Sequence, residues 1–116
     1  MLRSKIHRAT VTECRLDYEG SITIDEELLE RCGIWAGEKV TVADVDNGNR
    51  FDTYTIPGKR GSGIIAINGA AAHLCRVGDK VIIMAYAQMT PEELHAGHVP
   101  HVVFVDEQNQ IVRTTT

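Results

Sequence analysis

The chain has 116 residues, of which 43% are hydrophobic and 24% charged, and this length and balance predict one globular domain over residues 1–116. Its formal net charge of -4 argues against general affinity for nucleic acid, which requires a basic surface. The sequence has neither a run of about 18 apolar residues for a membrane span nor the apolar segment of a signal peptide, so we expect a cytoplasmic protein.

The predicted elements are mainly strands. Alternation of polar and apolar residues predicts strands over 5–14, 22–24, 39–45, 50–56, 64–67, 80–86 and 102–105. Short helices are predicted over 25–33, with Asp25 as the N-cap and Gly33 at the end, through 74–75, and over 91–94. Asn47-Gly48 is typical of a tight hairpin turn, and residues 113–116 are expected to fray.

An internal repeat indicates how these strands combine. The stretch from Ile24-Asp25 to Gly37-Glu38-Lys39-Val40 resembles the stretch from Ile67-Asn68 to Gly78-Asp79-Lys80-Val81. Each copy runs strand, short helix, turn, strand, and neither copy can bury its apolar face alone. We therefore predict an all-β fold with short helices, in which two interleaved pseudo-repeats close one barrel. The helices are too short for the crossovers of a parallel α/β sheet.

The cysteines and histidines do not follow the spacing of a metal site. Cys14, Cys32 and Cys75 are widely spaced and odd in number, so buried reduced thiols are expected rather than disulfides or zinc ligands. A regular spacing does occur in His95, His98 and His101. Gly97 and Pro100 prevent the regular helix that would align these three imidazoles, so no metal is predicted.

The dipeptide Gly20-Ser21 has two interpretations. Glycine and serine often form an ordinary turn, because glycine tolerates unusual backbone angles and the serine hydroxyl bends the chain. An unhindered glycine carbonyl followed by a serine hydroxyl is also the arrangement needed for attack of that hydroxyl on the preceding peptide bond. These two residues alone allow both.

Two further stretches are candidate binding segments. Small residues over 68–72 follow a strand, where backbone N–H groups can hold a carboxylate or an oxyanion, although a tight turn that starts a helix has the same composition. On the strand over 50–56, a period of two puts Arg50, Asp52 and Tyr54 on one face and Thr53 on the other. Arginine offers a fork for a carboxylate and tyrosine a proton, but a solvated face explains the pattern equally well.

Five motifs occur together in a particular order. They are Lys5-x-His7-Arg8, Tyr18-Glu19-Gly20-Ser21, Asn47-Gly48-x-Arg50-Phe51-x-Thr53-Tyr54, Asn68-Gly69-Ala70-Ala71-Ala72-His73 and Val77-Gly78-Asp79. Together they resemble the aspartate 1-decarboxylase family, pyruvoyl-dependent enzymes that make β-alanine for pantothenate synthesis. The resemblance implies a double-psi β-barrel that assembles as a homotetramer, with active sites between subunits and L-aspartate as substrate.

The resemblance also implies that the chain cuts itself. The Ser21 hydroxyl would attack the Gly20 carbonyl, the resulting ester would undergo β-elimination, and hydrolysis would leave residue 21 as an N-terminal pyruvoyl group. Residues 1–20 and 21–116 would then be the β and α chains of one folded unit. The pyruvoyl ketone would form a Schiff base with aspartate and act as the electron sink, with no metal and no pyridoxal phosphate. Spontaneous cleavage and cleavage aided by a maturation factor both remain open.

Roles for individual residues follow from the same resemblance. It implies that Arg50 and Lys5 hold the substrate carboxylates and that Tyr54 protonates the carbanion. The other implied roles are cleavage support by Thr53, Asn68, Tyr18, Glu19 and His7, and a substrate-binding lining of Gly69, Ala70 and Ala71.

A second resemblance gives a different class of function. The stretches 21–24, 28–33 and 36–40 are similar to AbrB-like swapped-hairpin DNA-binding domains of bacterial transcriptional regulators. This similarity covers a small part of the chain and leaves the small residues over 68–72 unexplained. The acidic net charge also disfavours DNA binding.

Overall fold

Nine strands and two short α-helices form the fold in a computed structural model, which describes residues 1–115. The strands are β1 (Leu2–Thr10), β2 (Glu13–Arg15), β3 (Ser21–Asp25), β4 (Lys39–Asp44), β5 (Arg50–Gly58), β6 (Ile65–Asn68), β7 (Lys80–Tyr86), β8 (His101–Val105) and β9 (Ile111–Thr115). The helices are α1 (Glu26–Cys32), α2 (Pro91–His95) and a 3-10 helix (Gly69–His73). Over residues 1–115, every helix is too short or too polar to cross a membrane.

The strands form a six-stranded barrel in which β1 and β2 together occupy one strand position. We call this bent pair of strands a stave of the barrel, and use the same word for each of the other five strand positions. The order is β2-β6-β3-β5-β4-β7-β1, with β8 and β9 added beyond β1. Between β1 and β2, the Val11 N–H donates to the Asp79 carbonyl at 2.9 Å and the Thr12 N–H donates to the Ile65 carbonyl at 2.8 Å. The chain therefore changes partners here, from β7 to β6. The single strand predicted over 5–14 is wrong, because it breaks at this change of neighbour.

The internal repeat corresponds to a pseudo-twofold arrangement. β3 pairs antiparallel with β6, and β4 pairs antiparallel with β7. In the first copy, β3 is parallel to β5 and β4 is antiparallel to it. In the second copy, β6 is parallel to β2 and β7 is antiparallel to β1, so the pair β1 and β2 takes the place that β5 has in the first copy. The prediction of one barrel from two interleaved pseudo-repeats is confirmed.

The barrel interior is built from β-branched residues at every second strand position. On β3, Ile22 and Ile24 have no exposed surface and point inward, so Ser21, Thr23 and Asp25 lie on the outer face. As predicted, Asp25 caps α1 by accepting from the Glu27 N–H at 2.9 Å, and the helix ends before Gly33 at a φ of 67°.

Other boundaries differ from the sequence predictions. β5 runs on through Gly58, two residues beyond the predicted end, and the short helix expected through 74–75 lies earlier, at Gly69–His73. The prediction of a frayed C-terminus is wrong for residues 113–115, which belong to β9. There, the Arg113 guanidinium lies 4.0 Å from the centre of the Phe104 ring on β8. Thr116 lies outside the described residues. Cys32 and Cys75 are buried free thiols, whereas Cys14 is half-buried.

A pair of carboxyl groups holds the turn that leads from β4 to β5. Asp44 is buried, and one of its oxygens accepts from the Asp46 N–H at 2.8 Å. Its other oxygen accepts from no donor among residues 1–115 and lies close to the carboxylate of Asp79, to which it can donate when it carries a proton. Burial, followed by the hydrogen bond with Asp79, raises the pKa of Asp44, and the same hydrogen bond lowers the pKa of Asp79. Asp44 is therefore the carboxyl that retains the shared proton.

This pair predicts a pH-dependent stability. A carboxyl whose pKa is raised by folding stabilises the fold at low pH, and that contribution is lost as the pH rises through the folded pKa. Asp44→Asn keeps a donor toward Asp79 and cannot ionise. We expect the variant to raise Tm at pH 8, by about 4–8 °C for each 1 kcal/mol gained, and to raise it less at pH 5. Thermal unfolding followed by circular dichroism measures this, and equal changes at both pH values would contradict the assignment.

Candidate active site

Ser21 is held at the first position of β3, on the outer face of the barrel wall. It is 1% exposed and lies directly opposite Asn68 on β6. The Ser21 Oγ donates to the Glu19 carbonyl at 3.1 Å and accepts from the Asn68 Nδ2 at 3.0 Å. The hydroxyl is thus fixed between the loop that precedes it and a carboxamide on the neighbouring strand.

The Asn68 carboxamide bridges two hydroxyl groups. Its Nδ2 also donates to the Thr23 Oγ1 at 3.0 Å. Its Oδ1 is buried and has no hydrogen-bond partner among residues 1–115. An unpaired buried carbonyl costs about 1–3 kcal/mol, so this orientation of the amide is maintained by the two hydroxyls that accept from it.

The segment over 17–20 lies directly against the start of the 3-10 helix. Gly69 has a φ of 77°, and a Cβ built on it would lie 2.7 Å from the Gly20 Cα, 2.8 Å from the Gly20 N and 3.1 Å from the Tyr18 carbonyl oxygen. Gly20 itself has open space around a built Cβ, and its φ is not positive. Glycine is therefore required by packing and backbone angle at 69, but by neither at 20.

A cavity of about 410 Å³ opens beside Ser21. Its lining residues come from the end of β2, from the segment after it, and from β3, β5 and β6: Arg15, Asp17, Tyr18, Glu19, Ser21, Thr23, Ile56 and Asn68. The Arg15 guanidinium lies 5.0 Å from the centre of the Tyr18 ring, which fixes the phenol at the rim. Of the small residues expected to line a pocket, Ala70 is exposed and Ala71 packs against the core, and neither borders this cavity.

β5 brings its outer-face residues next to β3. The strand alternates as predicted, with Arg50, Asp52 and Tyr54 exposed and Thr53 half-buried. β3 and β5 are parallel with Ile22 opposite Thr55, so the preceding position aligns Tyr54 with Ser21 on the same face. Tyr54 and Thr53 do not line the cavity beside Ser21 but border a separate, shallow groove of about 310 Å³. Arg50 lies four residues from Tyr54, which along a strand is about 13 Å.

Lys5 and His7 are not beside Ser21 within one chain. Both lie on β1, which is not adjacent to β3 in the barrel: β7, β4 and β5 lie between them in one direction, and β2 and β6 in the other. The His7 Nδ1 is buried without a hydrogen-bond partner among residues 1–115, and its ring packs edge-on against Phe104 with centroids 5.4 Å apart. Burial, and then the charges of Lys5 and Arg8, lower the pKa of His7, so the ring is neutral at pH 7.

Two residues of this site were missed from the sequence. Thr23 lies two positions after Ser21, and strand alternation alone places both side chains on one face. Arg15 ends β2, and its contact with the Tyr18 ring has no signal in the local pattern. Of the spaced histidines, the His98 Nε2 lies 2.7 Å from the Leu2 carbonyl, a contact that holds the α2 region to β1.

Comparison with known proteins identifies the family. The family model described as aspartate decarboxylase matches residues 1–112. The chain belongs to the aspartate decarboxylase family. Proteins named aspartate 1-decarboxylase from Caldicellulosiruptor bescii and Carboxydothermus hydrogenoformans are 60% and 63% identical to it over 113 residues, which is 97% of this chain and 88% of each relative. The predicted family resemblance is confirmed, and the DNA-binding alternative is not favoured.

A solved structure confirms the fold. The rationally designed protein mkDPBB_sym_86, a double-psi β-barrel, matches with a TM-score of 0.53, covering 70% of this chain and 95% of the design at 16% identity. At 16% identity, the match is evidence for the fold alone. The predicted double-psi β-barrel of the aspartate decarboxylase family is therefore the architecture of this chain.

The contact between Gly69 and Gly20 gives a stability prediction. Gly69→Ala and Gly48→Ala both place alanine at a positive φ, of 77° and 78°, but only the first side chain meets backbone atoms. In a Ser21→Ala background, which keeps the 20–21 bond intact, we expect Gly69→Ala to lose about 1–3 kcal/mol more unfolding free energy than Gly48→Ala, the usual cost of overpacking. Urea denaturation measures both. Equal losses of unfolding free energy from the two variants would show that the segment over 17–20 moves aside for the alanine side chain without a loss of stability.

Proposed function

We propose that this protein converts L-aspartate to β-alanine and CO2 by removing the α-carboxylate, using a pyruvoyl group made from its own Ser21. Membership of the aspartate decarboxylase family supports the reaction. The observation that carries the origin of the group is the Ser21 hydroxyl, which is buried and oriented by Asn68 next to a glycine that packing does not require.

The proposed maturation needs only the chain and water. The Ser21 Oγ attacks the Gly20 carbonyl carbon, the peptide C–N bond breaks, and an ester and a free amine form. Loss of the Ser21 Cα proton then breaks the Cβ–Oγ bond, releasing the Gly20 carboxylate and leaving dehydroalanine at position 21. Its imine tautomer takes up water and loses ammonia, which leaves a pyruvoyl group at the start of residues 21–116 and a free carboxylate at the end of residues 1–20.

The surroundings of Ser21 fit this sequence of steps. The Asn68 Nδ2 can donate to oxygen as the ester forms. The absence of a side chain at Gly20 leaves its carbonyl carbon unhindered, and the close approach of Gly69 holds Gly20 at the start of β3. In this proposal Thr53, Tyr18, Glu19 and His7 support the geometry of cleavage.

The substrate would bind on the outer face of β3 and β5. The pyruvoyl group, once formed, supplies a carbonyl that receives the substrate amine and withdraws electrons as the carboxylate leaves. We propose that Tyr54 delivers the proton to carbon, which its alignment with Ser21 supports. Arg50 offers a two-pronged donor for the remaining carboxylate.

A second copy of the chain would complete the site. Lys5 and His7 lie on β1, which is not adjacent to β3 in one barrel, and this supports their contribution to the Ser21 site of a neighbouring subunit. The unpaired His7 Nδ1 is in keeping with a partner supplied in the assembly. We propose the homotetramer expected of the family, with or without a maturation factor for cleavage. The three free thiols favour a reducing compartment such as the cytoplasm.

Self-cleavage and catalysis can be separated by two variants. In wild-type protein we expect intact-mass spectrometry to show one fragment ending at Gly20 and one starting with a blocked residue 21. Ser21→Ala should stay uncut and inactive, because it has no nucleophile. Tyr54→Phe should be cut but should lose about 10²–10⁴ in kcat, the usual value of a general acid.

β-Alanine formation, measured on the same samples, completes this test. Wild-type protein that decarboxylates aspartate while remaining intact would overturn the proposed role of Ser21. If Tyr54→Phe keeps the full kcat, a group other than Tyr54 delivers the proton to the substrate carbon.

A shared site predicts complementation between two inactive variants. Lys5→Ala and Tyr54→Phe damage the same site from different subunits, so a mixed tetramer contains some sites with both residues intact. With random assembly, we expect about a quarter of the sites to be complete. Co-expressed, differently tagged variants, purified over both tags and assayed for β-alanine, should therefore exceed either parent. Activity no higher than the mean of the parents would place Lys5 and Tyr54 in one subunit.

A further inference from the structure

The carboxamide of Asn68 has two hydrogen-bond acceptors on the neighbouring strand. Ser21 lies directly opposite Asn68 in the antiparallel pair of β3 and β6, and Thr23 is the diagonal neighbour on the same face. Both hydroxyl oxygens accept from the same Nδ2, each at 3.0 Å. The orientation of the amide is thus set by two acceptors on β3, the hydroxyls of Ser21 and Thr23.

Packing fixes the direction of the Thr23 hydroxyl. A Cβ built on Gly58 would lie 2.9 Å from the Thr23 Cγ2, so the threonine methyl group sits directly over that glycine on β5. With the methyl group held on the β5 side, the hydroxyl is directed toward β6, where Asn68 lies. Thr23 is half-buried and lines the cavity beside Ser21.

Only one of the two acceptors would remain after self-cleavage. In the proposed function, on which this inference rests, the Ser21 Oγ leaves with the Gly20 carboxylate, and Thr23 is then the remaining hydroxyl that accepts from Asn68. We propose that Thr23 is a positioning residue that keeps the Asn68 amide group directed at position 21 in the mature enzyme. Without it, rotation would let the unpaired Oδ1 seek a donor and would turn the amide away.

The expected signature is a larger effect on turnover than on cleavage. Thr23→Val keeps the shape and loses the acceptor. Before cleavage Ser21 still holds the amide, so the half-time of cleavage should change less than about threefold. After cleavage kcat should fall about 5- to 10-fold, the equivalent of one neutral hydrogen bond, with little change in KM. Thr23→Ser should restore both rates to near wild type, and Thr114→Val, exposed on β9, is the matched control.

The test combines three measurements on the full-length protein. Cleavage is followed by intact mass, turnover by β-alanine formation, and the side-chain amide of Asn68 by its ¹⁵N–¹H NMR signals, assigned with Asn68→Ala. We expect Thr23→Val to shift or broaden those signals in the cut protein, and Thr23→Ser to leave them in place. In the Asn68→Ala background, Thr23→Val should cause no further loss of kcat, because it acts through Asn68.

The outcomes separate this inference from the proposed function. A wild-type chain that stays uncut would overturn the proposed function and the inference with it. If wild type is cut and active but Thr23→Val matches it in kcat, the inference alone is wrong. It is also wrong if the losses from Thr23→Val and Asn68→Ala multiply, because Thr23 would then act independently of the amide.

Discussion

The antiparallel register between β3 and β6 is the constraint on which the candidate site depends. It sets Ser21 opposite Asn68, and the inward packing of Ile22 and Ile24 prevents a slip by one residue, which would turn the serine into the core. The positive φ of Gly69 then allows the chain after β6 to turn tightly under Gly20. One hydrophobic pattern therefore orients a polar group whose hydrogen-bond partners, Glu19 and Asn68, lie outside the hydrophobic core.

The barrel also supports the proposal that two subunits share the site. β1 is not adjacent to β3 in the ring of six strand positions, so Lys5 does not lie next to Ser21 on the wall of one barrel. Tyr54 does, because β5 is the direct neighbour of β3. The net charge of the chain is negative, so the two carboxylates of the proposed substrate would need local cations, which Arg50 and Lys5 would supply in the proposed assembly.

Local chemistry made much of the fold predictable. The N-cap at Asp25, the helix end at Gly33 and the alternation along β5 follow from short-range rules, and the internal repeat indicated a barrel. The break at Val11 could not be predicted, because it arises where the chain exchanges one neighbour for another. Site residues followed from motif order, which says nothing about the subunit that supplies each residue. Thr23 belongs to no motif, and its role depends on a diagonal contact across two strands.

The bent stave formed by β1 and β2 has a consequence for the lifetime of the processed protein. A cut after Gly20 would leave this segment attached by noncovalent contacts alone, which are its pairing with β6, β7 and β8, its core side chains, and bonds such as that from Ser4 to Cys32. The mature barrel would then be a noncovalent complex of a long chain and a short peptide. Its unfolding would release the peptide into solution, so refolding would depend on concentration and on recapture of the lost strand. Self-cleavage would thus replace a chain that unfolds and refolds reversibly by a complex whose lifetime is set by its rate of unfolding.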